Sequence, residues 1–255
     1  MAGTDLPRRL LAEFVGSALL VTVVVGSGIA AAQLSANDVG LQLLENSTAT
    51  VFGLAVLILM FGPVSGAHFN PVVTGADWLL GRRSGSGIVG SDAGAYVTVQ
   101  VIGAVAGTWL ANVMFDHRVF ELATKERITV GHLVGEVVAT AGLVTLIFIL
   151  ARTGRAGLSA AAVGAYIGAA YWFTSSTSFA NPAVTVGRMF SDSFAGIAPS
   201  SAPGFIGAQI VGALVGLALV VTLHPDAAKT ADDVVVPHHP ADPSPNVPVR
   251  PQESS

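Results

Sequence analysis

Six stretches of this chain are apolar over roughly the length needed to cross a lipid bilayer, and that property constrains the fold more than any other. They cover about 8–31, 46–62, 94–115, 131–151, 158–174 and 203–223. A helix of about 20 residues rising 1.5 Å per residue spans a hydrocarbon core of roughly 30 Å. Lipid offers no hydrogen-bond partners, so a spanning backbone has to satisfy itself, as a helix or a closed barrel. Segments of this length predict helices. Composition agrees: 52% of the residues are apolar, 11% are charged and the mean hydropathy is +0.67, against about 25% charged in soluble domains. The expected fold class is an all-α membrane protein with six transmembrane helices.

Between the second and third spans lies Ser65-Gly66-Ala67-His68-Phe69-Asn70-Pro71-Val72-Val73-Thr74. Between the fifth and sixth lies Ser176-Thr177-Ser178-Phe179-Ala180-Asn181-Pro182-Ala183-Val184-Thr185. The shared core is Asn-Pro-x-Val-Thr, with the asparagines 111 positions apart. Asn caps helix N-termini well and Pro is preset for the first helical position, so each copy predicts a helix start. The predicted helices, about 70–80 and 181–191, are too short to span alone. At roughly 16 Å each, two placed end to end cross one bilayer.

The halves match elsewhere. Glu13 and Glu136 each stand early in an apolar segment, and Gln100 and Gln209 follow their asparagines by 30 and 28 residues. Three spans per half is an odd number, so the second half runs opposite to the first, which predicts an inverted repeat with its site near the midplane. The stretches before the asparagines (Gly66, Ala67, His68, Phe69; Ser176, Thr177, Ser178, Phe179, Ala180) enter the membrane as irregular backbone, which is tolerated only along a cavity or inside protein. Their carbonyls predict a ladder of acceptors, and their amides need acceptors in turn. Glu13 and Glu136 are the acids placed to brace them, with Gln100 and Gln209 assisting. At the centre two positive helix ends and two carboxamides favour a neutral solute's oxygen and repel cations. His68 suits either a pore-lining, pH-sensitive role or a structural hydrogen bond.

These features predict passive conduction of small uncharged molecules. No nucleophile–base pair suggests an enzyme, no cofactor or metal is implied, and no basic cluster suggests nucleic acid. With no cysteine, thiol chemistry is excluded. The leading apolar run after Arg8 and Arg9 is long enough to be a retained helix despite resembling a signal peptide. Six basic residues (Arg8, Arg9, Arg82, Arg83, Arg152, Arg155) against four (Arg118, Lys125, Arg127, Arg188) favour cytoplasmic termini in a plasma or inner membrane. Residues 1–223 read as one domain, with halves at about 8–115 and 131–223. From 224 to 255, seven of thirteen prolines make a disordered tail.

The duplicated boxes Asn70-Pro71-Val72 and Asn181-Pro182-Ala183, the paired glutamates and the six spans resemble the major intrinsic protein family, the aquaporins and glyceroporins. The resemblance covers about 8–223. It implies a homotetramer in the lipid bilayer with one pore per subunit, Asn70 and Asn181 at the midpoint and a constriction nearer the outside. Carried over to this sequence, the selectivity filter is Phe52, Ala169, Ser178 and Val184. The family usually has Ala at 72 and Arg at 184; here the nearest arginine is Arg188, one turn further on, expected either as a charged sentinel at the outer mouth or as a solvated loop cation. A filter of Phe, Ala, Ser and Val is wide and lacks a fixed cation, which favours polyols. The pattern around 170–183 resembles bacterial members linked to arsenic resistance, which implies arsenite, a neutral triol, beside glycerol and water. A water-selective pore and an ion-coupled transporter are the alternatives.

Overall fold

A computed structural model describes residues 5–84 and 87–224. Among them six helices are long and apolar enough to span a membrane. α1 is Leu6–Leu34 and α2 Val39–Ser65; the half-helix α3 is Pro71–Ser84; α4 is Gly90–Met114. The second set repeats the first: α5 is Val130–Arg152 and α6 Ser159–Phe173; the half-helix α7 is Pro182–Gly187; α8 is Ala202–Leu223. The proline-rich tail beyond His224 and the Arg83 side chain lie outside the described residues.

Sequence bounds match the helices to within a few residues, with two differences. α2 begins at Val39, seven residues before the expected start, because the Asp38 side chain accepts from the Leu41 amide and caps a polar first turn. α7 stops at Gly187 and tightens into a 3-10 turn at Arg188–Phe190, so the two half-helices are unequal.

Packing follows the duplication. α1 lies against α4 and α2, α5 lies against α8 and α6, and α2 meets α6 between the halves. The closest approaches are made by glycines spaced four apart. A Cβ on Gly103 or Gly107 of α4 would overlap the carbonyls of Phe14 or Ala18. One on Gly212 or Gly216 of α8 would lie 2.6 Å from the carbonyls of Val137 and Ala141. Lipid tails are as apolar as leucine, so spans associate by close van der Waals packing, and small residues permit it. Both halves use the same device at equivalent positions.

Candidate solute passage

Each Asn-Pro stretch turns back into the bundle by the same backbone path. Ala67 and Phe69 adopt φ of 49° and 48°, and their counterparts Ser178 and Ala180 adopt 50° and 48°. These left-handed conformations are unfavourable for side-chain-bearing residues and persist where surrounding contacts over-determine them. Here the contacts are carboxylates. Glu13, fully buried, accepts from the amides of His68 at 3.0 Å and Phe69 at 2.8 Å, from Ser65 Oγ at 2.6 Å and from Gln100 Nε2 at 2.8 Å. Glu136, equally buried, accepts from the amides of Phe179 and Ala180, both at 2.9 Å, and from Gln209 Nε2 at 2.7 Å. Gln100 also donates to Thr74 at 3.0 Å, and Gln209 to Thr185 at 2.9 Å. The two threonines end the shared Asn-Pro-x-Val-Thr motif; sequence reasoning quoted them without giving them a role. In the first half Tyr96 adds a link, donating to the Ser65 carbonyl at 3.0 Å and accepting from Arg9 at 2.8 Å.

The half-helices meet at their N-termini. Asn70 Oδ1 accepts from the Val72 amide, and Asn181 Oδ1 from the amides of Ala183 and Val184. Asn70 Nδ2 donates to the Ala180 carbonyl and Asn181 Nδ2 to the Phe69 carbonyl, each at 2.8 Å. A carboxamide nitrogen carries two hydrogens, so each asparagine spends one on the opposite loop and keeps one for the cavity. Pro71, Pro182, Val72 and Ala183 start the half-helices directly behind them.

A cavity with about 60 Å³ of room for solvent runs beside both asparagines. That holds a handful of waters, at roughly 10–15 Å³ each. Its wall is apolar over Leu20, Val24, Leu54, Leu143, Ile147 and Val163; Ala67, His68, Phe69, Phe179 and Ala180 join it from the loops. Gly66, Ser176 and Thr177 are outside the lining, serving the turns instead. Ser176 Oγ accepts from the Ser178 amide. His68 lines the cavity while its Nδ1 meets Thr74 at 3.1 Å, so it combines both expected placements.

Four expected positions of the constriction fare differently. Ser178 and Val184 line the cavity. Phe52 does not: it is 67% exposed on the outer face of α2, and Thr50 takes the inner place. Ala169 is likewise exposed on α6, and Tyr171 lines the cavity instead. Successive helical residues are about 100° apart, so two positions turn a side chain to nearly the opposite face. Thr50 and Tyr171 touch through their hydroxyls at 3.2 Å. Arg188 is not a solvated loop cation. It is 2% exposed and lines the cavity, because the turn at 191–198 folds over it and the Ala195 carbonyl accepts from its Nε. The filter expected to lack a cation therefore has one within reach, and Tyr171 supplies bulk where Ala169 supplies none.

An inverted repeat of apolar helices, with two half-helices meeting across a narrow lined cavity, defines a polytopic helical membrane protein built around a central passage. The sequence profile described as Major intrinsic protein matches residues 2–179. The chain belongs to the major intrinsic protein family. It is 47% identical over 216 residues to aquaglyceroporin AqpS of Rhizobium meliloti (strain 1021), covering 85% of this chain and 90% of that protein. It is 38% identical over 103 residues to glycerol uptake facilitator protein-like 6 of Lactiplantibacillus plantarum, covering 40% of this chain and 41% of that one. In fold it is similar to the X-ray structure of the aquaglyceroporin from Plasmodium falciparum, with a TM-score of 0.64 at 19% identity over 88% of this chain and 99% of that chain.

Proposed function

We propose that this protein is a passive channel for small uncharged solutes, conducting water, glycerol-sized polyols and arsenite-type triols down their gradients. The observation that carries this reading is the pair of cross-tied asparagines, each with an N–H left for a solute beside a largely apolar cavity. A hydroxyl oxygen accepts from the two carboxamides in turn, while two positive half-helix ends oppose cations. The same-site donors and the likeness to aquaglyceroporin AqpS both support polyols. The small cavity and Arg188 favour water, and the ratio of the two permeabilities decides between a glyceroporin and a water-selective pore.

The assembly in this reading is a homotetramer in the cell membrane. Each subunit has its own pore, its termini are cytoplasmic, residues 1–223 form the channel domain and 224–255 a separate tail. An ion-coupled transporter is disfavoured because coupling needs a carboxylate free to bind an ion, and Glu13 and Glu136 are each engaged by at least three donors. Stopped-flow light scattering on proteoliposomes tests the proposal with water, glycerol and arsenite. The expected result is linear, gradient-driven flux of all three. Saturating uptake that requires a proton or sodium gradient would refute it.

A further inference from the structure

Val184 stands where the family usually has arginine, yet the cavity has a guanidinium. Arg188 lies one helical turn beyond, at the end of α7. Among the described residues no carboxylate lies within 4.0 Å of it, although it is almost fully buried. An unpaired buried guanidinium costs several kcal/mol unless other groups replace its water. Two do so. The Ala195 carbonyl takes Nε, and the Phe179 ring lies with its centroid 3.4 Å from the guanidinium carbon. Arg127 also lies over Phe179, at 5.3 Å from its centroid, and donates to the carbonyls of Phe194 and Gly196. One aromatic ring thus contacts two buried cations, and three consecutive carbonyls, 194 to 196, hold them. Neither Nη of Arg188 has a hydrogen bond among the described residues.

A second polar residue belongs to the same lining. Ser178 lines the cavity, and its buried Oγ has no hydrogen-bond partner among the described residues. Ser178 is the residue before Phe179, so the loop braced by Glu136 places this hydroxyl and the ring that seats Arg188 side by side. A lining that holds Arg188 and Ser178 together with Val184 and Leu54 offers polar groups to a neutral solute's hydroxyls and carbon to its chain.

We propose that Arg188 is the specificity-determining cation of this passage, supplied one turn late in place of an arginine at 184, and that Phe179 is its positioning residue. This rests on the channel reading above. The guanidinium narrows the throat, so that polyols pass but more slowly than water, and opposes protons and other cations, an effect that a low-dielectric surrounding strengthens.

The test uses full-length protein in proteoliposomes, with water and glycerol permeability from light scattering and proton leak from an entrapped pH dye. The wild type is measured first; no flux above protein-free vesicles would sink the channel reading itself. Given a conducting wild type, Arg188→Gln retains a donor for Ala195 but not the charge. We expect the glycerol-to-water ratio and the proton leak each to rise roughly fivefold or more. Arg188→Lys should return the leak to near the wild-type level. Phe179→Leu should raise the leak as Arg188→Gln does. A Gln variant with both readouts within about twofold of wild type would reduce Arg188 to a brace of the 191–198 turn. Should that variant fail to reconstitute, Val184→Arg decides: with a cation already at 188, a second one cuts water and glycerol flux together. A loss confined to glycerol overturns the proposal.

Discussion

Asn181 donates through Nδ2 to the carbonyl of Phe69, 112 residues earlier in the chain and on the other re-entrant loop. The reciprocal bond from Asn70 to Ala180 makes each loop a structural partner of the opposite half-helix. Asn181→Asp keeps the oxygen that caps α7 but turns the donor into an anion facing a carbonyl. We expect a loss of about 1–3 kcal/mol, the cost of stranding a buried polar group. A lower unfolding temperature in detergent, with cation leak in vesicles, would confirm it. Unchanged stability would mean the cross-tie contributes nothing.

Thr177 adopts φ of 61°, whereas its repeat counterpart Gly66 adopts 85°. A β-branched residue in that region is strained by about 1–3 kcal/mol. Thr177→Gly removes the strain and adds the entropic penalty of glycine, about 0.5–1 kcal/mol. The expected net result is a modest rise in thermal stability with unaltered water permeability. A fall in stability would show that the threonine side chain compensates the strain locally.

Phe52 and Thr50 face opposite sides of α2. Phe52→Ala should leave water and glycerol flux as they are, while Thr50→Phe should block both by filling a cavity of about 60 Å³. Flux measurements on the two variants separate the faces directly. Loss of selectivity in Phe52→Ala alone would reverse the assignment.

Lys125, in the loop between α4 and α5, donates to the Phe194 carbonyl. Partial loss of solvent, and then the charges of Arg127 and Arg188, push its ammonium down from an ordinary 10.5 to about 8. Lys125 is therefore half neutral near pH 8 and fully charged well below it. Amine acylation followed by peptide mass spectrometry should show Lys125 modified with a midpoint near pH 8. A midpoint near the ordinary 10.5 would contradict this.

What the sequence disclosed and what it hid have a common physical basis. Duplication marked Glu13 and Glu136, Gln100 and Gln209, and the two asparagines, because an acid or an amide within an apolar span stands out. Thr74 and Thr185 were marked by the same repeat, but a threonine attracts no notice in a helix. Thr50 and Tyr171 were hidden for a different reason. In a span whose lipid face and inner face are both apolar, no polar stripe shows which side turns inward, so a two-residue shift in alignment selected Phe52 and Ala169. The burial of Arg188 was not legible because it depends on the turn at 191–198, whose path over the half-helix has no local signal.

Glu13 also bears on how the protein is made. α1 leaves the ribosome ahead of its loop, and the amides that will engage its acid follow some fifty residues later. Until then the helix offers an unaccompanied carboxyl to lipid, a penalty of about 2.5–3.5 kcal/mol on insertion scales. Glu136 puts α5 in the same position ahead of its own loop. Membrane integration is thus a joint event within each half: the leading helix is a poor anchor by itself and becomes a good one only when its re-entrant partner arrives.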